Sequence, residues 1–106
     1  MNTSHIISAI SGETLLLPCQ TAGSDHSVSW VFQLAFLTLQ STMIVRYGKV
    51  LDDIPWRQFA IQFTPDGEHN LFIRNASANN SGRYLCIDQD GVGDLVASYN
   101  VTVKGT

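Results

Sequence analysis

The sequence contains few charged residues, and cations are the scarcer kind. Only 14% of its 106 residues are charged, and six Lys and Arg against nine Asp and Glu give a net charge of −3. Binding to nucleic acid or to an acidic membrane needs a concentrated cationic surface. The composition therefore favours neither partner.

Long apolar runs are missing as well. No run approaches the roughly 18 apolar residues that a membrane-spanning helix needs. The first residues lack the cationic start and apolar stretch of a signal peptide. Apolar residues still make up 44% of the sequence, which is enough for the core of a single domain over residues 1–106.

Cysteine is limited to Cys19 and Cys86. In a strand-rich chain, two cysteines favour one disulfide and an oxidising compartment, and the alternative is a pair of buried free thiols. Secretion is also supported by four Asn-x-Ser/Thr sequons, of which we expect at least one to be glycosylated. These sequons begin at Asn2, Asn75, Asn79 and Asn100. We therefore predict an extracellular protein, either secreted or the ectodomain of a receptor, and expect the sequence to be a trimmed segment with an added Met1.

Alternating apolar residues predict strands throughout the chain. Leu15, Leu17 and Cys19 alternate with more exposed positions, and Trp30 is central to a second such run. Pro18 has no N–H to donate, so we expect a strand edge or an irregularity there. The predicted strands span 5–10, 14–19, 28–33, 43–47, 59–63, 70–74, 83–88 and a segment after the turn at 90–93 through Val103, with a short edge strand after Gly48 and Lys49.

The stretch from Asn80 to Cys86 combines a turn at Gly82 with a strand on which Tyr84 and Cys86 share a face. With Cys19 and Trp30 upstream, it resembles the tyrosine corner and second cysteine of the immunoglobulin superfamily. The resemblance implies an all-β, two-sheet antiparallel Greek-key sandwich with an inter-sheet Cys19–Cys86 disulfide. It also implies that Trp30, Tyr84 and Gly82 form the core signature.

The segment between Gln33 and Arg57 leaves room for two extra strands, C′ and C″, which is typical of variable-type (V-set) domains. Two features depart from that type. Asn80 stands where many such domains have an Asp that pairs with an Arg near Arg57, so we expect a hydrogen bond at best. The turn Gly91-Val92-Gly93 follows Cys86 too closely to be the joining segment of a rearranged antigen receptor.

No pattern of residues indicates catalysis. The acidic stretch 88–94 lacks the terminal Glu and the flanking helices of an EF-hand calcium loop, and it reads better as a hairpin tip. His5, His26 and His69 are far apart in the predicted fold and are expected to be solvated. We predict no enzyme activity, no cofactor and no metal.

By the resemblance, four of the predicted strands belong to one sheet and correspond to strands C (28–33), C′ (43–47), F (83–88) and G (after 90–93). The outward face of these four strands is the predicted partner site. Its predicted residues are Val31, Gln33, Met43, Val45, Leu85, Ile87 and Val96, with Trp56 as a separate candidate anchor. The alternatives are a set of scattered surface apolar residues and, favoured for Trp56, packing over the lower edge of the sheet. An apolar strip with a polar rim is typical of a protein-binding surface.

The leading hypothesis is a recognition module in immune recognition or adhesion that binds another protein, or a second copy of itself, through this face. One alternative is a pathogen-recognition or antigen-receptor-like domain that binds ligand or glycan through the B–C, C′–C″ and F–G loops. A module that only spaces its neighbours is a further alternative.

Overall fold

The computed structural model describes residues 3–21, 27–34, 41–51, 58–64, 66–89 and 93–105. Over these residues the chain forms nine strands and one short 3-10 helix. The strands are β1 (Thr3–Ile10), β2 (Leu15–Leu17), β3 (Val28–Leu34), β4 (Ser41–Arg46), β5 (Lys49–Val50), β6 (Phe59–Phe63), β7 (His69–Ile73), β8 (Gly82–Asp88) and β9 (Asp94–Lys104), and the 3-10 helix η1 spans Ala78–Asn80.

The strands form two sheets. The larger sheet has the order β1-β9-β8-β3-β4-β5, and the smaller has β2-β7-β6. Paired strands run antiparallel except β1 and β9, which are parallel from Thr3 opposite Ala97 to Ile10 opposite Lys104. The predicted all-β sandwich is confirmed, and the first strand lies at a sheet edge as expected.

The two sheets are joined through a disulfide between Cys19 and Cys86, which confirms the predicted pairing. Cys19 follows β2 of the smaller sheet, and Cys86 belongs to β8 of the larger one. Trp30 and Tyr84 are fully buried beside it. Strand β2 ends immediately before Pro18, where the ladder would lack a donor.

The turn into β8 is closed by hydrogen bonds around Asn80, which is 1% exposed. The hydroxyl of Tyr84 donates to the Asn80 backbone carbonyl at 2.7 Å. The Asn80 side-chain oxygen accepts from the Ser77 backbone N–H at 2.8 Å and from Gln58 Nε2 at 2.9 Å. Asn80 therefore makes a neutral hydrogen bond to Gln58 at the position where many variable-type domains have a charged pair. Arg57, the expected partner, lies outside the described residues.

The prediction that His69 is solvated is wrong. The residue is 1% exposed, because β7 begins at His69 and places it on the same inward side as Leu71 and Ile73. Its backbone carbonyl accepts a hydrogen bond from Trp30 Nε1 at 3.3 Å. Alternation along the predicted strand 59–63 places Phe63 on the same side as Phe59, but Phe63 is 44% exposed because it is the last residue of the edge strand β6.

Candidate protein-binding face

The candidate site is the outward face of the larger sheet, the face turned away from the smaller sheet. Strands β3, β4, β8 and β9 correspond to the predicted strands C, C′, F and G. We use the name docking patch for five apolar residues of this face, which are Val31, Met43, Leu85, Ile87 and Leu95.

The strand register brings the docking patch together. Val31 lies opposite Met43 on one side and opposite Leu85 on the other. Ile87 lies opposite Leu95. Directly opposed side chains on a sheet are within contact distance, and Leu85 and Ile87, two apart on β8, share its outward face. The five residues therefore lie together on one face across four strands.

Exposure within the docking patch increases from its centre toward β9. Val31 is 9% exposed although it does not belong to the core cluster, which indicates cover by its neighbours on the outward face. Met43, Leu85 and Ile87 are half-buried, and Leu95 is 40% exposed. The docking patch is therefore an apolar surface that projects little above the sheet.

Two residues predicted for this face lie elsewhere. Val45 is fully buried in the core because it lies opposite Trp30, and a bulge at Ile44 shifts the register between Val45 and Met43. Val96 packs against the core because a second bulge shifts the register so that Ile87 lies opposite Leu95. An extra residue in one strand reverses the side of the residues beyond it.

Leu95 is the residue of the face that sequence reasoning missed, since the bulge that turns it outward has no signature in the sequence. Gln33 takes its predicted outward place, half-buried and opposite Arg83. Trp56 lies outside the described residues.

Polar residues border the docking patch at the end where β8 finishes, among them the fully buried Ser29 and the half-buried Gln89. The hydroxyl of Ser29, opposite Ile87, donates to Gln89 Oε1 and accepts from the backbone N–H of Tyr47 at 3.0 Å. The hydrogen bond from the Tyr47 N–H to Ser29 holds the backbone of Tyr47, which has a positive φ of 48° and is 51% exposed. An exposed aromatic side chain thus follows β4 near the patch, a feature the sequence analysis did not single out.

The other end of the outward face is polar. Arg83 Nε donates to Asn100 Oδ1 at 3.3 Å, and both side chains are exposed. Asn100 lies opposite Ile6 of β1, which is 83% exposed. The hydroxyls of Ser98 and Ser4, 3.4 Å apart, separate β1 from the docking patch.

The buried tyrosines are structural. Burial raises the pKa of Tyr84 and that of Tyr99, so both hydroxyls remain protonated donors at neutral pH. Tyr99 donates to the Pro18 carbonyl, and the ring of His5 stacks on it at 4.8 Å between centroids. In the described part of the chain, no group of three or more His, Cys, Asp or Glu is placed to hold a metal ion. The acidic stretch 88–94 lies partly outside that part.

Three of the four sequon asparagines, Asn75, Asn79 and Asn100, are exposed. Asn75 and Asn79 are in the link between β7 and β8, whereas Asn100 is on the outward face. Asn2 lies outside the described residues.

A disulfide-linked sandwich with a buried Trp and a tyrosine corner is the architecture of immunoglobulin domains. The model of the immunoglobulin I-set domain matches residues 2–103, and the chain belongs to this family. The I-set is distinct from the V-set, so the V-set subtype predicted from length is not confirmed.

The chain is similar to contactin-4 of two mammals. It is 30% identical to the Rattus norvegicus protein over 105 residues and 32% identical to the Homo sapiens protein over 95 residues. Each match covers 89% of this chain but only 8% of the relative. No helix in the described ranges is long and apolar enough to cross a membrane.

Proposed function

We propose that the chain is an extracellular, non-enzymatic recognition module that binds another protein through the docking patch. The observation that carries this proposal is the continuity of five apolar residues across four strands on the side that the core does not use. The similarity to contactin-4, a cell-adhesion protein, favours adhesion over immune recognition.

The surroundings of the docking patch fit a protein interface. Such interfaces have an apolar centre and a polar rim that stays accessible to water. Gln33 and Ser41, which lie opposite each other, border the patch on one side. Arg46 Nε lies 3.3 Å from Met43 Sδ and so places a cation at the rim.

A second copy of this chain is the partner to test first. A two-fold contact needs only one self-complementary surface, and an apolar, low-lying patch satisfies that condition without a matching charge pattern. The short strand β5, which pairs with β4, extends the same sheet and widens the face available to a partner.

Replacing Ile87 with arginine is expected to weaken association at least tenfold. The side chain is half-buried within the docking patch, so a dimer would have to bury an unpaired guanidinium there. Sedimentation equilibrium over a wide concentration range measures the effect, and a thermal melt establishes that the variant still folds.

Ile6→Arg is the matched control. It makes the same exchange on the same sheet face, but at an 83% exposed position on β1 beyond the Ser4–Ser98 pair. We expect it to leave association unchanged. Equal loss in both variants would contradict the proposed site.

If the wild-type protein is a monomer at every concentration, self-association is excluded. The same two variants would then be tested for binding to cell-surface proteins. If a captured ligand bound Ile87→Arg normally, the docking patch would be excluded and binding through the end loops would become the better hypothesis. Loop residues 22–26 and 90–92 lie outside the described residues.

A further inference from the structure

A shallow cavity of about 160 Å³ lies on the larger sheet where β8 begins and β9 approaches its end. The docking patch contributes none of its lining. The residues that line it include Gln33, Leu34, Gly82, Arg83, Asn100 and Thr102.

The wall of this cavity includes both ends of a sequon. Asn100 and Thr102 are the first and third residues of Asn100-Val101-Thr102, and both are exposed. The oxygen of the Asn100 amide accepts from Arg83 Nε, which leaves the amide nitrogen available for a sugar.

We propose that Asn100 is N-glycosylated and that the first N-acetylglucosamine of the glycan lies in this cavity. In the reaction, Nδ2 of Asn100 forms a bond to the anomeric carbon of a lipid-diphosphate-linked oligosaccharide. The bond from that carbon to the diphosphate breaks, the lipid diphosphate leaves with the bonding electrons, and the amide releases one proton.

The chemistry of the cavity suits a sugar attached at its wall. A pyranose ring presents C–H groups on one face and hydroxyl and acetamido groups at its edge. Leu34 is 42% exposed and offers an apolar surface, while Gln33, Arg83 and Thr102 offer hydrogen-bonding groups. Neither Asn75 nor Asn79 lines this cavity, so the proposal applies to Asn100 alone.

The inference depends on the extracellular placement in the proposed function and not on the docking patch. Asn100 is two residues beyond Ser98, which lies opposite Leu85. A glycan seated toward Leu34 would therefore cover the polar end of the outward face, including Gln33, and leave open the end of the docking patch formed by Ile87 and Leu95.

The test is secretion from cells that make high-mannose glycans, followed by enzymatic trimming that leaves one N-acetylglucosamine on each occupied asparagine. Intact mass and peptide mapping determine whether Asn100 is occupied. Thr102→Val removes the sequon while keeping Asn100 and a β-branched residue, and Thr102→Ser keeps the sequon as its control. Leu34→Ala removes the apolar surface of the cavity.

We expect Leu34→Ala to lower the Tm by about 2–4 °C more when Asn100 carries the sugar than in the Thr102→Val background. Thr102→Ser should behave as the wild type. An unoccupied Asn100 in secreted protein would overturn the inference, as would an equal effect of Leu34→Ala in both backgrounds. Either result leaves the Ile87→Arg test of the proposed function unaffected, whereas failure of the chain to be secreted would count against the proposed function itself.

Discussion

Replacing both Cys19 and Cys86 with alanine is expected to lower the free energy of unfolding by about 4 kcal/mol. The disulfide spans 67 residues and restricts a large part of the unfolded chain. Since a domain of this size is stabilised by about 5–15 kcal/mol in total, the loss removes between about a quarter and four fifths of that stability. Alanine is the appropriate replacement because both sites are buried and serine would add a hydroxyl.

Urea titration measures this change. We expect the midpoint to fall and the slope m to rise, because the unlinked unfolded chain exposes more surface. Wild-type protein with a reduced disulfide is the control and should unfold at a similar denaturant concentration. A loss below about 1 kcal/mol would show that packing around Trp30, rather than the cross-link, supplies most of the stability.

Gly82→Ala is expected to destabilise the domain by about 3 kcal/mol. A Cβ at this position would lie 2.5 Å from the Gln33 carbonyl oxygen and 2.6 Å from Cε1 of Phe32. Its φ of 156° adds a conformation that side chains rarely adopt. The conflict occurs where β8 begins, so it also displaces the tyrosine corner.

Gly93→Ala is the matched control for this prediction. Gly93 has a φ of 82°, but a Cβ there would meet no atom within 4 Å. This variant measures the cost of a positive φ without a close contact, about 1–2 kcal/mol. Equal losses in the two variants, measured by denaturant unfolding, would show that the close approach at Gly82 relaxes at little cost.

The fold could be predicted because its strongest signals are local and repeat every second residue. The inward positions of Trp30, Tyr84 and Cys86 follow from that alternation together with the spacing of the tyrosine and cysteine. Strand β6 was predicted with its observed bounds, Phe59–Phe63. Where apolar and polar residues alternate without interruption along a strand, only one of its two faces can be buried against the core.

The candidate site was predicted less completely because it depends on register between strands. Parity from Trp30 correctly assigns Val31, Leu85 and Ile87 to the outward face, since β3 and β8 pair without interruption. Val45 and Val96 were misplaced because each follows or forms a bulge against a neighbouring strand. A bulge is decided by packing between strands, so no pattern within one strand reveals it.

The parallel pairing of β1 with β9 fixes how a tension would act on the domain. The chain enters the sheet at Thr3 beside Ala97, and it leaves β9 at Lys104 beside Ile10, at the opposite end. A pull on these two points drives β1 and β9 in opposite directions along their common axis. The ladder of hydrogen bonds between them is then loaded in shear, so its bonds share the force instead of opening one after another. Any neighbouring domain attached at either point would therefore pull along the axis of this ladder.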